Sequence, residues 1–250
     1  MSRLRHLLWA ELMRSWLEQV RYPLQFVLGL VLIGLIFYLL TGFARVAGAL
    51  DASGAQTAKL LVGYLLGLLA VGIIGAPAAQ VGREAKAGTL ENMVLSGQGL
   101  TAFFVVQVLA RFWLNLLQFG LLFLVLGAIF KANFVFGWPL LPAFFLFILT
   151  SLGLGLMAGA VILLFKEVSQ VFTLAQLLVF PAVIVELPQL QWFPLTLGAS
   201  VFRKLILGAS VAPLEWAILL LGTVAVYSLG VYFFQSADLL ARKKGLLGHE

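Results

Sequence analysis

The chain contains no cysteine and only two histidines among its 250 residues. Without cysteine it forms no disulfide, thiolate metal site or cysteine nucleophile. The histidines, His6 and His249, lie near the two ends, which excludes a His-x-Glu or Glu-x-x-His metal motif. We therefore expect no metal site in this chain.

Motifs for nucleotide binding and for serine catalysis are also missing. The chain has no Gly-x-x-x-x-Gly-Lys-Ser/Thr sequence and no Gly-Lys pair, so it carries no P-loop of its own. No serine stands in a Gly-x-Ser-x-Gly elbow, which argues against one common class of serine hydrolase. We expect no catalytic residue and no cofactor bound by this chain.

Charge is scarce: 10% of the residues are charged and 62% are hydrophobic. A soluble domain carries roughly 25% charged residues, so the composition predicts an integral membrane protein with little mass outside the lipid bilayer. The net charge of +6 is spread over the ends of apolar runs and forms no continuous basic stripe. We therefore expect no nucleic-acid partner.

Apolar runs predict six membrane spans, each near the ~20 residues that a crossing helix needs. They are Leu24–Phe43, Lys59–Gly82, residues 112–130, Leu140–Phe165, Gln170–Glu186 and Leu214–Phe234. The run Leu100–Phe130 exceeds one crossing, since ~30 residues give about 45 Å against a ~30 Å core. Residues 100–110 are therefore expected to extend the helix into the interface. The first run is longer than a signal-peptide core of about 7–15 residues, so we interpret it as retained.

Two segments do not fit a regular span. Residues 1–22 carry apolar residues near helical spacing with charges between them, which predicts an amphipathic helix lying in the membrane interface. Residues 187–208 are apolar but interrupted by Pro188, Pro194 and Gly198, so we expect re-entrant half-helices in the outer leaflet. The predicted fold is an all-α polytopic membrane protein whose membrane domain covers residues 23–250.

The basic residues predict the orientation. With the N-terminus inside, 11 of the 16 lysines and arginines lie on the cytoplasmic side. Six spans then place both termini in the cytoplasm of a multi-pass protein of the plasma (inner) membrane. The pair Arg203-Lys204 is the local exception to this rule.

Polar residues inside the predicted spans are candidate parts of a substrate path. The third span carries four of them at spacings of 4, 4 and 3, hence on one helix face: Gln107, Arg111, Asn115 and Gln118. The alternative is interhelical hydrogen bonding with the arginine reaching the interface. Glu186 either contacts substrate near the outer exit or lies at a solvated helix end. The pairs Gly63-x-x-x-Gly67 and Gly155-x-x-x-Gly159 allow close helix packing.

A polar island, residues 83–98, interrupts the apolar sequence after the second span. Hydrocarbon offers no hydrogen-bond partners for the charged side chains and loop backbone of the island. The island therefore lies in water or against another protein. Its alternating charges and its apolar Leu90 favour a short docking helix for a cytosolic partner. A solvated loop that merely joins two spans is the alternative.

The pattern Arg83-Glu84-x-x-x-Gly88-Thr89-Leu90-Glu91, placed after the second of six spans, resembles the coupling helix of the type-2 class of ATP-binding-cassette (ABC) exporter permeases. The amphipathic N-terminus, the broken segment before the last span and the basic C-terminus are also similar to that class. The sequence Pro194-Leu-Thr196, followed by Arg203, is likewise similar to that class.

The resemblance implies a permease subunit that moves a substrate outward and works with a second permease copy or a related permease. Two cytosolic ABC ATPase subunits would bind ATP and Mg²⁺ and dock on the coupling helix. It assigns the contacts with the ATPase to Arg83, Glu84, Gly88, Thr89, Leu90 and Glu91. Apolar walls favour an amphipathic or lipid-like substrate. The alternatives are a self-sufficient secondary carrier or channel and a non-transporting scaffold.

Overall fold

The computed structural model describes residues 20–46, 54–87, 100–165, 169–185 and 188–243, with isolated positions at 9, 12, 13, 17 and 48. All regular structure within these ranges is helical, and none of the described residues lies in a strand. The all-α prediction is confirmed. The predicted amphipathic helix over residues 1–22 lies outside the described residues except at a few positions.

The helices are α1 (Pro23–Val46), α2 (Gly54–Ala87), α3 (Leu100–Ile129), α4 (Leu140–Leu164), α5 (Ser169–Ile184), α6 (Pro194–Ile206) and α7 (Pro213–Lys243), with a 3-10 turn at Pro188–Leu190. Proline is the first residue of α1, α6 and α7. This position suits proline because its missing N–H would have no partner in the first helical turn, and its ring presets the helical φ.

Among the residues that the structure describes, four stretches of helix are long and apolar enough to cross a membrane: Phe26–Val46, Ala55–Gly82, Leu140–Leu164 and Pro213–Lys243. They match the first, second, fourth and sixth predicted spans and fit a multi-pass membrane protein. The third predicted span lies in α3, which is one continuous helix, as expected. The fifth lies in α5, which has 16 residues. Crossing by α3 and α5 stays a prediction.

α2 and α7 extend beyond the predicted spans. α2 begins at Gly54, before Lys59, and α7 continues to Lys243, beyond Phe234. The predicted interruption at Gly198 is wrong, because α6 passes through this residue. A Cβ built on Gly198 would lie 3.4 Å from side-chain atoms of Phe147 and Leu219. Tertiary packing against α4 and α7 therefore outweighs the low helix propensity of glycine.

α2 and α4 form the centre of the bundle. In an apolar 18-residue stretch of each helix, the share of buried residues is 67% for α2 and 78% for α4. The corresponding shares are 11% for α1 and 22% for α7. α1 and α7 expose large apolar side chains such as Leu28 and Leu221. A continuous apolar surface of this kind is unfavourable in water and ordinary in lipid.

Interhelical contacts show the direction of each helix. Going from Gly155 to Gly159, α4 meets first Ile73 and then Pro77, so α2 and α4 run in the same direction. α4 and α7 also run together, since Thr150 bonds Thr223 and Gly159 lies against Phe234.

α5 runs against α2, because a Cβ on Gly63 would meet Ile184 whereas one on Gly67 would meet Phe180. α6 likewise runs against α7: Pro194 lies at Gly222, and Lys204 pairs with Glu215. α5 and α6 therefore point the same way, opposite to α2, α4 and α7.

Candidate functional site

The first five residues of the predicted docking segment, 83–87, are the end of α2. α2 is unbroken from Gly54 through Arg83 and Glu84 to Ala87. Its 34 residues give a length of about 51 Å, which exceeds the ~30 Å hydrocarbon core. The side chains of residues 83–87 are not described, and Gly88, Thr89, Leu90 and Glu91 lie outside the described residues.

Buried polar groups lie near this end of the core. Gln80 is 6% exposed and Asp238 is 7% exposed. Arg242 donates to both carboxylate oxygens of Asp238, from Nε at 2.8 Å and from Nη2 at 2.9 Å. This bidentate geometry fixes both side chains and stiffens the last turns of α7. The pair was not predicted, although its i, i+4 spacing is a recognisable signal.

The predicted polar face of α3 is only partly described. α3 is continuous over all four positions, so helical geometry keeps Gln107, Arg111, Asn115 and Gln118 on one side. The side chain of Gln118 is half-buried, and the other three side chains are not described. Glu186 lies outside the described residues. Both assignments to a substrate path therefore stay predictions.

Arg203 of α6 caps the end of α5. The last four carbonyls of a helix have no partner within the helix, and Val183 contributes one of them. The Nη2 atom of Arg203 donates to this carbonyl oxygen at 2.7 Å, and Arg203 is 2% exposed. The cation also opposes the negative end of the helix dipole.

Gly63 of α2 leaves the space that this cap needs. A Cβ at Gly63 would lie 2.8 Å from Nη2 of Arg203 and 3.2 Å from the Cα of Ile184. Three helices therefore meet at one point, and the contact depends on the absence of a side chain.

A cavity of about 270 Å³ lies where α5 ends and α6 begins, and we name it the break cleft. One part of its wall is apolar and includes Trp192. The other part is polar and carries three charged residues. The lining residues are Ala182, Val183, Val185, Gln191, Trp192, Thr196, Leu197, Ser200, Arg203, Lys204 and Glu215.

The break cleft contains an ion pair that joins two helices. Lys204 of α6 donates to Oε1 of Glu215, which lies in the first turn of α7. Oε2 of Glu215 accepts the backbone N–H of Ala212 at 3.1 Å, a contact of the capping-box type. One carboxylate thus holds the start of α7 and the end of α6 together.

Two sequence signals pointed toward the break cleft. The pair Arg203-Lys204 departs from the positive-inside pattern. Such a departure is expected of basic side chains that have specific partners within the protein. Glu215 lies two residues after Pro213, in the first turn of α7, where an acidic residue favours a helix start. The further partners of Arg203 and Glu215, at Val183 and Ala212, are backbone groups, and no residue pattern identifies those.

Within the described ranges, no group of three or more His, Asp or Glu residues has the composition of a metal site. Neither a protein-family model nor a characterised protein matches the chain.

Proposed function

We propose that this chain is the membrane-spanning permease subunit of an ABC exporter. It moves an amphipathic or lipid-like substrate outward, driven by two cytosolic ATPase subunits that bind ATP and Mg²⁺. The permease works as a pair, with a second copy or a related permease. Residues 83–98 receive the movement of the ATPases.

The observation that carries the proposal is the continuity of α2. α2 packs centrally, against α4 and α5 in particular, and extends without a break into the charged sequence beginning at Arg83. The helix stays continuous through its interior proline, Pro77, so a push on that end is transmitted along α2 to the core. The pattern from Glu84 to Glu91 is the one expected of a surface that docks an ATPase.

Helix directions support six crossings. α2, α4 and α7 are each long and apolar enough to span and run in the same direction. Two consecutive spans with the same direction require one opposite crossing between them. α3 supplies it between α2 and α4, and α5 together with α6 supplies it between α4 and α7. In this arrangement α6 is the outer half of a discontinuous fifth span.

In the proposed orientation both termini and the polar island lie on the cytoplasmic side of the inner membrane. The loops after α3 and α6 then face outward, and the sequence 83–98 lies on the side where ATP is available. Arg242 and Lys243 lie at the cytoplasmic end of α7, as the positive-inside rule expects.

The decisive experiment tests the docking segment. The full chain is co-expressed with the candidate P-loop ATPase, purified as a complex and reconstituted into vesicles. Reversing Glu84→Lys together with Glu91→Lys should reduce transport at least about tenfold, since a charge-assisted contact contributes about 1.5–3 kcal/mol. Membrane insertion should be unchanged.

The matched control reverses Glu167→Lys and Glu250→Lys, which changes the net charge by the same amount elsewhere on the cytoplasmic side. Control transport should stay near that of the unmodified chain. Full transport by the Glu84/Glu91 variant would contradict the assignment of residues 83–98 as the docking segment. Transport by the purified chain without any ATPase would instead identify a self-sufficient carrier or channel.

A further inference from the structure

Pro77 divides α2 into two arms. Proline has no N–H, so the carbonyl of Ile73, four residues earlier, loses the donor that a helix normally gives it, and the proline ring crowds the same oxygen. α2 nevertheless continues as a helix on both sides. We name residues 73–77 the proline turn, and Pro77–Ala87, which leads into the docking segment, the inner arm. The proline turn is the point at which α2 is held by one hydrogen bond fewer.

α4 offers the proline turn a smooth backbone surface. A Cβ built on Gly155 would lie 3.0 Å from the carbonyl oxygens of both Ile73 and Ile74. One helical turn further along α4, a Cβ built on Gly159 would lie 3.3 Å from the Cβ of Pro77. At both contacts glycine presents backbone and no side chain, which permits the close approach. The proline turn can therefore slide over these two positions without a change of rotamer in α4.

α5 lies on the opposite side of the proline turn. Gly75, two residues before Pro77, lies about 200° around the helix and so faces away from the proline ring. A Cβ on Gly75 would overlap the side-chain amide of Gln176 in α5. Because the ring crowds the Ile73 carbonyl on the α4 side, that side opens and the inner arm bends toward α5. The obstacle there is a flexible side chain rather than backbone.

The inner arm is long enough to turn a small bend into a useful movement. It extends from Pro77 to Ala87, and at 1.5 Å per residue it is about 15 Å long. A bend of ~20° at the proline turn moves the end of this arm by about 5 Å. Ile73, Ile74 and Ala78 are buried, so the bend originates inside the bundle and not at its surface.

We propose that the proline turn is a joint, at which a movement of the docking segment becomes a tilt of the inner arm. The inner arm slides over Gly155 and Gly159 of α4 and bends toward Gln176 of α5. Pro77 is the positioning residue for this movement. The link to the docking segment rests on the proposed function, whereas the bending itself requires only the permease chain.

Spin-label distances in the full chain alone, in nanodiscs, test the bending, and the chain has no cysteine of its own to interfere. The inner pair is Ala87→Cys with Leu239→Cys, and the outer pair is Ala55→Cys with Leu214→Cys. Each pair joins α2 to α7. A tilt of ~20° should spread the distances of the inner pair over about 5 Å more than those of the outer pair. Pro77→Ala restores the missing N–H and should reduce the inner spread to that of the outer pair.

The matched control is Pro181→Ala, since Pro181 is the interior proline of α5. This variant should leave the inner pair of distances broad. A narrow inner distribution in the unmodified chain would overturn the proposal. So would a broad one that Pro77→Ala leaves unchanged, because the spread would then come from the end of α2. Equal narrowing by both alanine variants would also contradict it.

Transport measures whether the joint is used. In the reconstituted complex Pro77→Ala should lower the amount of substrate moved per ATP hydrolysed, whereas binding of the ATPase should be unchanged. Unaltered transport per ATP by a chain whose inner arm no longer bends would refute the role of the joint. Because the spin-label measurement contains no ATPase, its outcome is independent of the docking experiment on Glu84 and Glu91.

Discussion

Single glycines decide how closely the helices of this bundle approach one another. α4 and α7 come nearest at Gly153 and Gly230, where a Cβ on Gly230 would lie 2.3 Å from the carbonyl oxygen of Gly153. The obstacle is backbone, which cannot rotate away as a side chain can. One helical turn closer to the start of α4, the hydroxyl of Thr150 donates its proton to the Leu146 carbonyl. The hydroxyl of Thr223 therefore acts as the donor in its hydrogen bond to the Thr150 oxygen, at 2.9 Å.

Gly230→Ala should therefore destabilise the protein. Overpacking against a rigid neighbour costs about 1–3 kcal/mol, and the gain in helix propensity of up to ~1 kcal/mol offsets only part of it. The control is Gly72→Ala in α2, where an added Cβ meets nothing within 4 Å and should be neutral or stabilising. Thermal unfolding in detergent micelles measures both, and equal midpoints for the two variants would contradict the close contact.

Part of this packing was predictable from residue spacing. Gly63, Gly67, Gly155 and Gly159 were expected at helix contacts, and each has neighbouring atoms within 3.2 Å of an added Cβ. That expectation is confirmed. Gly153 and Gly230 belong to no such pattern, and their pairing depends on the register between α4 and α7. Register is a property of the whole bundle, so local sequence does not contain it.

At the scale of helices, the end of α5 is the most unusual feature. A helix that stops among apolar neighbours leaves carbonyl groups without water, and each must find a donor inside the protein. Arg203 from α6 supplies that donor to Val183, and Gly63 leaves room for it. The break between α5 and α6 is thus stabilised by side chains from two other segments.

Replacing Arg203→Met should loosen the end of α5. An unsatisfied buried carbonyl costs about 1–3 kcal/mol, so amide exchange over residues 182–185 should accelerate at least about tenfold. Arg203→Lys should give an intermediate rate because one ammonium has less reach. Hydrogen-exchange mass spectrometry in nanodiscs measures this.

Arg45→Met is the matched control for the Arg203 variants, since Arg45 is exposed at the end of α1. In Arg45→Met the amides of α5 should exchange as in the unmodified chain. The amides of α4 should exchange at the unmodified rate in every variant. Unchanged exchange at residues 182–185 in Arg203→Met would show that the cap does not hold the helix end.

In the segment before α7, the interruption predicted at Pro194 coincides with a helix start, whereas the one predicted at Gly198 is absent. Pro194 and Pro213 begin α6 and α7, as their fixed φ favours. Gly198 was expected to interrupt the segment but lies inside α6, where Phe147 and Leu219 fill the space next to it. Proline acts through covalent geometry, which the sequence specifies, whereas glycine only permits a bend that packing here does not use.

At the scale of the whole molecule, hydropathy and helix direction give separate information. Apolar runs predicted six crossings, and four of them coincide with stretches in the described ranges that are long and apolar enough to span, because transfer into lipid depends mainly on composition. Helix direction bears separately on the other two, in α3 and α5. A scheme in which only α1, α2, α4 and α7 cross would make α2 and α4 run oppositely, whereas they run in the same direction.

Cysteine accessibility distinguishes the two schemes cleanly because the chain contains no cysteine. We expect Asn133→Cys, in the loop before α4, and Ala209→Cys, in the loop before α7, to react with a membrane-impermeant maleimide on intact spheroplasts. Lys243→Cys should react only after permeabilisation. All three positions are exposed in the fold, so a missing reaction reports the side of the membrane. With four crossings Ala209 would still lie outside, but Asn133 would lie inside. Protection of Asn133→Cys until permeabilisation would therefore rule out six crossings, and with them the placement of α3 as a span.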